Sequence, residues 1–428
     1  MVDWKKDIKL SDLLRKRDKT DPADAEAPTA EVEPAKPKKE KTKRSVPFAR
    51  KSKEPKESKP RRASKPAAKR ERRGGSHKRL VGLKIGASQL AAARVVNNGF
   101  PELVQVARES LEPGIVVGGE LRDPDALADA LRRFFRAHKL PRQGVRLGIA
   151  SNRIGVRTFE IGGIEDQKQL DNAIRFRAQE TLPIPLEEAV LDYQILGESL
   201  DGEGGQVSRV LLVVAYRDLV DRYVAACKRA GLKLAGIDLE AFALLRVLGV
   251  RAADAENAAI VVAGIGHSRS TLAVSNGETC EFTRVIEWGG ANLNVAIARA
   301  LDVAPSEAEP VKRSISLLEP AEAMEGLDAE RAAKVRTAVH EELQTFAREL
   351  VSSLQFYQGQ PGSLGIGEIV LTGGTAHLPG LDTELARLIG ARVRVGDPLA
   401  HVKLGKKVTE DGQLGSLAVA IGLGIEAD

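Results

Sequence analysis

Two distant stretches of this chain repeat one pattern. In the first, the apolar run Leu80-Val81-Gly82-Leu83-Lys84-Ile85 meets the turn Gly86-Ala87-Ser88, a second strand runs from Gln89 to Val96, and Asn98-Gly99 turns the chain into a third. In the second, Ala259-Ile260-Val261-Val262 leads to Gly266-His267-Ser268, a strand follows from Arg269 to Ser275, and Asn276-Gly277 marks the next turn. Apolar runs bounded by such turns read as β-hairpins. Glycine lets a tight turn bring backbone N–H groups close to an anion, and serine adds a hydroxyl. One such hairpin alone is an ordinary tight turn. Two in matched contexts predict two related lobes whose turns pinch phosphates between them.

Composition sets the frame. A chain of 428 residues is long enough for two or more domains with substantial cores. Residues 1–79 hold 27 Lys and Arg against 13 Asp and Glu, a net of +14, so of the whole chain's +6 the remainder carries −8. The basic character belongs to the tail, and no aromatic interleaving there supports nucleic-acid binding. Cys227 and Cys280 have neither the number nor the spacing for a disulfide framework or a metal site, and no metal ligands are assigned. With no apolar signal core at the N-terminus and no apolar run near spanning length, the expectation is a soluble cytoplasmic protein whose membrane contact is indirect.

Organisation follows from where apolar residues recur. Residues 1–17 carry Trp4, Ile8, Leu10, Leu13 and Leu14, read either as a short amphipathic docking motif or as a frayed terminus. Residues 18–79 are so poor in apolar side chains that they read as a disordered basic linker. From Leu80 the pattern is α/β: a first lobe over 80–250, with an inserted α/β subdomain at about 155–230, and a second lobe over 251–428. The insert reads strand, helix, strand, strand, helix, with residues 202–205 as an exposed hairpin tip and Pro183-Ile184-Pro185 stopping its first helix.

A third chemical element is Leu371-Thr372-Gly373-Gly374-Thr375, a strand end running into a helix. Paired glycines there let the backbone approach a flat ligand such as adenosine, though a plain strand–helix connection looks the same. Glu309 and Lys312, three apart on a helix, either grip a ribose and base or form a surface ion pair. His267 is a loop side chain or a phosphate contact.

The order of Val81-Gly82-Leu83-Lys84-Ile85-Gly86, Ala308-Glu309-x-x-Lys312 and Leu371-Thr372-Gly373-Gly374 resembles the actin-like ATPases of the FtsA kind. Leu182-Pro183-Ile184-Pro185 ahead of Leu191-Asp192-Tyr193, Ala230-Gly231-Leu232 ahead of Ile237-Asp238, Phe282-Thr283-Arg284 ahead of Gly289-Gly290, and Ala420-Ile421-Gly422-Leu423 narrow it to the PilM family of type IV pilus assembly. Over residues 80–428 the resemblance implies an actin-like two-lobed fold with ATP in its cleft. It implies that the insert helps form a groove for the N-terminal peptide of a PilN-like inner-membrane protein. It further implies a scaffold at the inner face of the cytoplasmic membrane, in contact with other pilus assembly proteins.

The chain departs from that pattern where catalysis needs it. In hydrolysing relatives an aspartate that orients magnesium stands two residues before each turn glycine; here those positions hold Lys84 and Gly264. Glu240, at the start of a helix, is the remaining catalytic candidate, and a lone carboxylate without metal is a poor catalyst. The expectation is a pseudo-ATPase with weak or absent magnesium binding, in which Lys84 either holds a nucleotide or fills the cleft. The alternatives are an active actin-like ATPase and an FtsA-like polymerising protein of cell division. Residues 7–14 faintly resemble the peptide such a groove accepts. They are read as docking on the same or a neighbouring molecule, a route to self-association, or on another pilus component; alternatively, the basic linker hovers at an anionic membrane.

Overall fold

The computed structural model describes residues 79–162, 164, 166–181, 185–200, 206–250, 258–318, 326–406, 408 and 414–426. The docking motif, nearly all of the linker and the 202–205 hairpin tip lie outside the described residues; Arg79, assigned above to the linker, opens the first strand.

The first lobe begins with β1 (Arg79–Ile85), β2 (Gln89–Asn98) and β3 (Phe100–Ser110), then a small ribbon of β4 (Val116–Val117) and β5 (Glu120–Leu121). Helix α1 (Pro124–Ala137) starts at Asp123, whose side chain accepts from the N–H groups of Asp125 and Ala126, with Pro124 in the first turn where its missing N–H costs nothing. Strand β6 (Gln143–Ile149) follows. The chain then forms β7 (Ile154–Gly162), α2 (Gln167–Thr181), β8 (Ala189–Leu200), β9 (Gln206–Tyr216) and α3 (Arg217–Arg229), and returns through β10 (Lys233–Leu239) and α4 (Glu240–Leu248). The second lobe contains β11 (Ala258–Ile265), β12 (Ser270–Ser275), β13 (Cys280–Ile286), α5 (Gly290–Leu301), α6 (Pro305–Ser314), α7 (Ala329–Gln358), β14 (Gly365–Thr372), α8 (Leu381–Ile389) and β15 (Val393–Val395). Strand β16 (Lys403–Leu404) and helix α9 (Ala418–Gly424) end the described chain.

The two large sheets repeat one topology. The first runs β10-β6-β1-β2-β3-β16 and the second β13-β12-β11-β14-β15. In each, the first hairpin strand is flanked by a parallel strand on one side and two antiparallel strands on the other. The registers match as well: Lys84 pairs with Gly148 and Ala91, and Gly264 with Thr372 and Thr271, each two residues before its turn glycine.

Both central strands are buried on both faces, and the period of two assigns each face to a different core. Val81, Leu83 and Ile85 pack with Leu127, Leu131, Phe134 and Phe135 of α1. Ala259, Val261, Ala263 and Ile265 pack with α5 and α7. The opposite faces, Ala91, Ala93 and Val95 from one sheet and Ile260, Val262 and Val370 from the other, close on a shared middle layer made by α4 and α9.

The insert is the three-stranded antiparallel sheet β7-β9-β8 under α2, with Leu170, Ile174 and Ala178 against Val210, Leu212 and Val214. Its outgoing helix belongs elsewhere. The reading above placed 218–230 in the insert, but Leu219, Tyr223, Ala226 and Cys227 of α3 join the core of the first lobe, because its apolar stripe faces α1 rather than β9. The C-terminal segment also departs from a simple division at residue 251. Strand β16 adds to β3, and α9 packs on β1, β2 and α4. Glycine makes this approach close: a Cβ on Gly82 would lie 2.0 Å from the Ala420 carbonyl oxygen, and one on Gly422 would lie 1.9 Å from that of Ala243.

Candidate functional site

The second turn is the better-knit half of the site. Gly266 N–H donates to the Arg269 carbonyl at 3.0 Å, and the Gly266 and His267 carbonyls accept from Gly290 (2.9 Å) and Ala291 (2.7 Å) at the start of α5. Thr375 Oγ1 donates to the Gly266 carbonyl at 3.2 Å, and Lys312 Nζ to the Gly290 carbonyl at 3.2 Å. Small residues are required here. A Cβ on Gly289 would fall 2.6 Å from the His267 oxygen, and one on Gly290 would fall 2.6 Å from Thr375 Oγ1. Gly373 adopts φ +95°, in the region that favours glycine, with its Cβ position 2.3 Å from the Ile265 carbonyl. Gly266, His267, Glu309, Lys312, Gly373, Gly374 and Thr375, far apart in sequence, are thus drawn around one helix N-terminus.

Glu309 is a partly exposed ion pair. Its carboxylate accepts from Asn294 Nδ2 (2.6 Å), Lys312 Nζ (2.8 Å) and Arg313 Nε (3.0 Å). Burial opposes its charge, but hydrogen bonds from Lys312 and Asn294, with the nearby Lys312 charge, outweigh that and hold the carboxyl at about 2. Beside it Asn294, only 7 % exposed, keeps Oδ1 buried with no hydrogen-bond partner. An orphaned acceptor of that kind is costly unless a donor arrives from outside the fold. His267 feels the same cluster: burial, then the Lys312 charge, push its imidazole below the ordinary value, while Glu309 pulls the other way.

The first turn stands apart from this network. Gly86 N–H closes on the Gln89 carbonyl at 2.9 Å, and the Ser88 carbonyl accepts from Leu111 at 2.9 Å; among the described hydrogen bonds none joins Gly86, Ala87 or Ser88 to the second turn. What the two halves share lies one step deeper. Lys84 and Glu240 from the first lobe, Gly264, Thr372 and Gly373 from the second, and Gly415 and Ser416 line one cavity of about 10 Å³, room for a single water. Within it Lys84 Nζ stands 3.4 Å from Glu240 Oε2, with the two side chains 23 % and 10 % exposed. The candidate catalytic carboxylate is therefore paired with the candidate phosphate-binding lysine.

A divalent cation does not fit this place. Magnesium needs carboxylate oxygens or waters held by them. Lys84 brings positive charge instead, and Glu240 is engaged by it. Gly264 carries no ligand, and a Cβ there would meet Leu244 Cδ1 at 2.9 Å, so a larger residue would have to displace the end of that side chain. No three His, Cys, Asp or Glu gather as a metal site among the described residues.

Several residues that bridge the lobes carry no signal of their own in the sequence. Arg269, next to the second turn, reaches across to donate to the Ala150 carbonyl at 3.0 Å and lies over Gly119, where a Cβ would sit 1.2 Å from its Nη2. Asn152 Nδ2 donates to Glu287 Oε1 at 2.9 Å, and Arg209 of the insert pairs with Glu281 of β13 at 3.3 Å. Between these bridges lies a cavity of about 160 Å³ lined by Ile149, Asn152, Ile154, Ala241, Thr283 and Arg284 among others. Only adjacency to the Gly266 turn hinted at Arg269.

Two sheets of one topology around a shared helical layer, with glycine turns at their facing strand ends and a small sheet inserted in the first lobe, define an actin-like two-lobed protein. The chain belongs to the family described as type IV pilus assembly protein PilM, which it matches over residues 82–428. It is similar to a solved PilM–PilN type IV pilus biogenesis complex, with 26 % identity and a TM-score of 0.67, covering 81 % of this chain and 97 % of that one. It is also similar to the cell division protein FtsA of Escherichia coli K12, 27 % identical over 362 residues (75 % of this chain, 84 % of FtsA). FtsA of Bacillus subtilis 168 is 23 % identical over 332 residues (68 % of this chain, 72 % of that protein). No described helix is long and apolar enough to cross a membrane.

Proposed function

We propose that this chain is a cytoplasmic scaffold of a type IV pilus or related secretion machine, which binds the N-terminal cytoplasmic peptide of a PilN-like inner-membrane protein and is held at the inner membrane face by that contact. The observation that carries the reading is the similarity to a chain of a PilM–PilN complex over 97 % of that chain's length. The cavity of about 160 Å³ beside the first residues of β7 is a suitable anchor point for an extended peptide, with apolar walls from Ile149 and Ile154 and polar groups from Asn152 and Arg284.

The crevice at the strand ends is read as a degenerate nucleotide site rather than an efficient ATPase. Glu240 is engaged by Lys84, and the described residues lining the cavity bring no second carboxylate to order a metal. Residues 1–17 are read as a docking element and 18–78 as its linker, serving self-association or a further pilus component.

Titrating the full-length chain into a labelled N-terminal peptide of the PilN-like protein tests the reading by fluorescence anisotropy. Saturable binding weakened by Arg284→Glu is expected. A peptide that stays free at every protein concentration would refute the scaffold reading.

A further inference from the structure

The crevice offers a nucleotide a partly prepared seat and offers a metal none, and that mismatch has a specific consequence. On the nucleoside side, Asn294 Oδ1 is buried without a donor next to the Glu309–Lys312 pair, while Gly289, Gly290 and Gly373 keep side chains out of the way. On the phosphate side, the two turns cap β1 and β11, and the residues two before each turn glycine, Lys84 and Gly264, line one small cavity. Polyphosphate crossing from one turn to the other would run over that cavity, which itself has room only for a water, and would bring several negative charges to Lys84. Some cation must meet them in so confined a place.

We infer that this chain binds a nucleoside polyphosphate without a divalent cation, the Lys84 ammonium supplying the positive charge that a metal ion would bring. Lys84 has three N–H donors and a single carboxylate oxygen of Glu240 at 3.4 Å, so its capacity is not exhausted. Glu240 holds the ammonium in place, and Gly264 opposite it brings no competing acid. The contact is static: with no metal and with Glu240 engaged, nothing activates a water. The inference rests on the reading of this crevice as a nucleotide site. The peptide-binding reading does not depend on it.

Calorimetric titration of the full-length chain with ATP, once in EDTA and once in excess magnesium, tests it. Binding in EDTA is expected, with magnesium leaving the affinity unchanged or lowering it, since a magnesium-bound phosphate competes poorly for an ammonium. Removing both charges together in Lys84→Met/Glu240→Gln avoids leaving either one buried alone and preserves folding. That variant should lose affinity about tenfold or more in EDTA, the loss of one charge-assisted hydrogen bond. Lys84→Arg should retain binding. Three results overturn the inference: binding that requires magnesium, a double variant that binds as the parent does, or no heat with ATP in either buffer. The last would leave peptide binding untouched, so the two readings fail separately.

Discussion

Replacing Gly422 by alanine tests whether the C-terminal helix is seated as described. The added Cβ would lie 1.9 Å from the Ala243 carbonyl oxygen, 2.6 Å from its carbon and 3.0 Å from its Cα. Ordinary contact begins near 3.4 Å, so α9 must move outward by more than an ångström, and a helix backbone has no rotamer with which to yield. Two terms oppose each other. Alanine is better than glycine in a helix by about 1 kcal/mol. Overpacking costs about 1–3 kcal/mol and more where backbone obstructs. Displacing α9 also loosens Ile421 and Leu423 from the layer they share with Leu244, Val247 and Ile260. The clash wins, and a net destabilisation of about 2–3 kcal/mol is expected, lowering the thermal midpoint by roughly 3–4 °C. Gly155→Ala and Gly236→Ala, where a Cβ meets nothing within 4 Å, should be neutral or slightly stabilising in the same melts followed by circular dichroism. If Gly422→Ala melts with those controls, α9 does not pack against α4 as closely as described.

Three further outcomes follow from the second half of the site. Glu309 has a folded pKa of about 2, below its unfolded value, so its stabilisation is complete above the usual carboxylate range and is lost as pH falls toward 2. Glu309→Gln should be less stable than the parent at neutral pH, with the difference shrinking in denaturant melts at pH 3 and below. His267 is held below its ordinary pKa by burial and Lys312, so its NMR titration midpoint should lie under 6.5 and rise in Lys312→Ala; stability from keeping it neutral is lost as pH drops below 6.5. Arg269→Met should remove the donor to the Ala150 carbonyl and speed hydrogen exchange around Ala150 and the second turn, with little change in α8. Equal exchange in parent and variant would mean that Arg269 does not fasten the lobes.

Much of this architecture was legible because it is written in local chemistry. Alternating apolar residues, glycine–serine turns and Asn-Gly turns specify the two hairpins whatever surrounds them, and Gly99 and Gly277 take the positive φ such turns require. Pro124 behind Asp123 specifies a helix start in the same way. The very short strands β4, β5, β15 and β16 were not legible, since two or three residues carry no periodicity and exist only because a neighbouring strand offers hydrogen bonds.

Within the site, residues next to glycine turns announced themselves, whereas Asn294, Arg269 and Ser416 did not. Their roles depend on what lies across a gap, and a sequence records no gaps. Lys84 and Glu240 could each be singled out by position, but their pairing required β1 and α4 to be folded against each other. Likewise, Gly264 could be singled out by its place two residues before a turn glycine. That Leu244 lies 2.9 Å from where its Cβ would be was decided by the packing of α4 under β11. The sequence by itself determined two matched lobes and their turns, because backbone propensity and residue type are local properties. Tertiary structure alone decided that α3 joins the first lobe, that α9 returns to β1, and that Lys84 meets Glu240, because those outcomes depend on distances between distant segments.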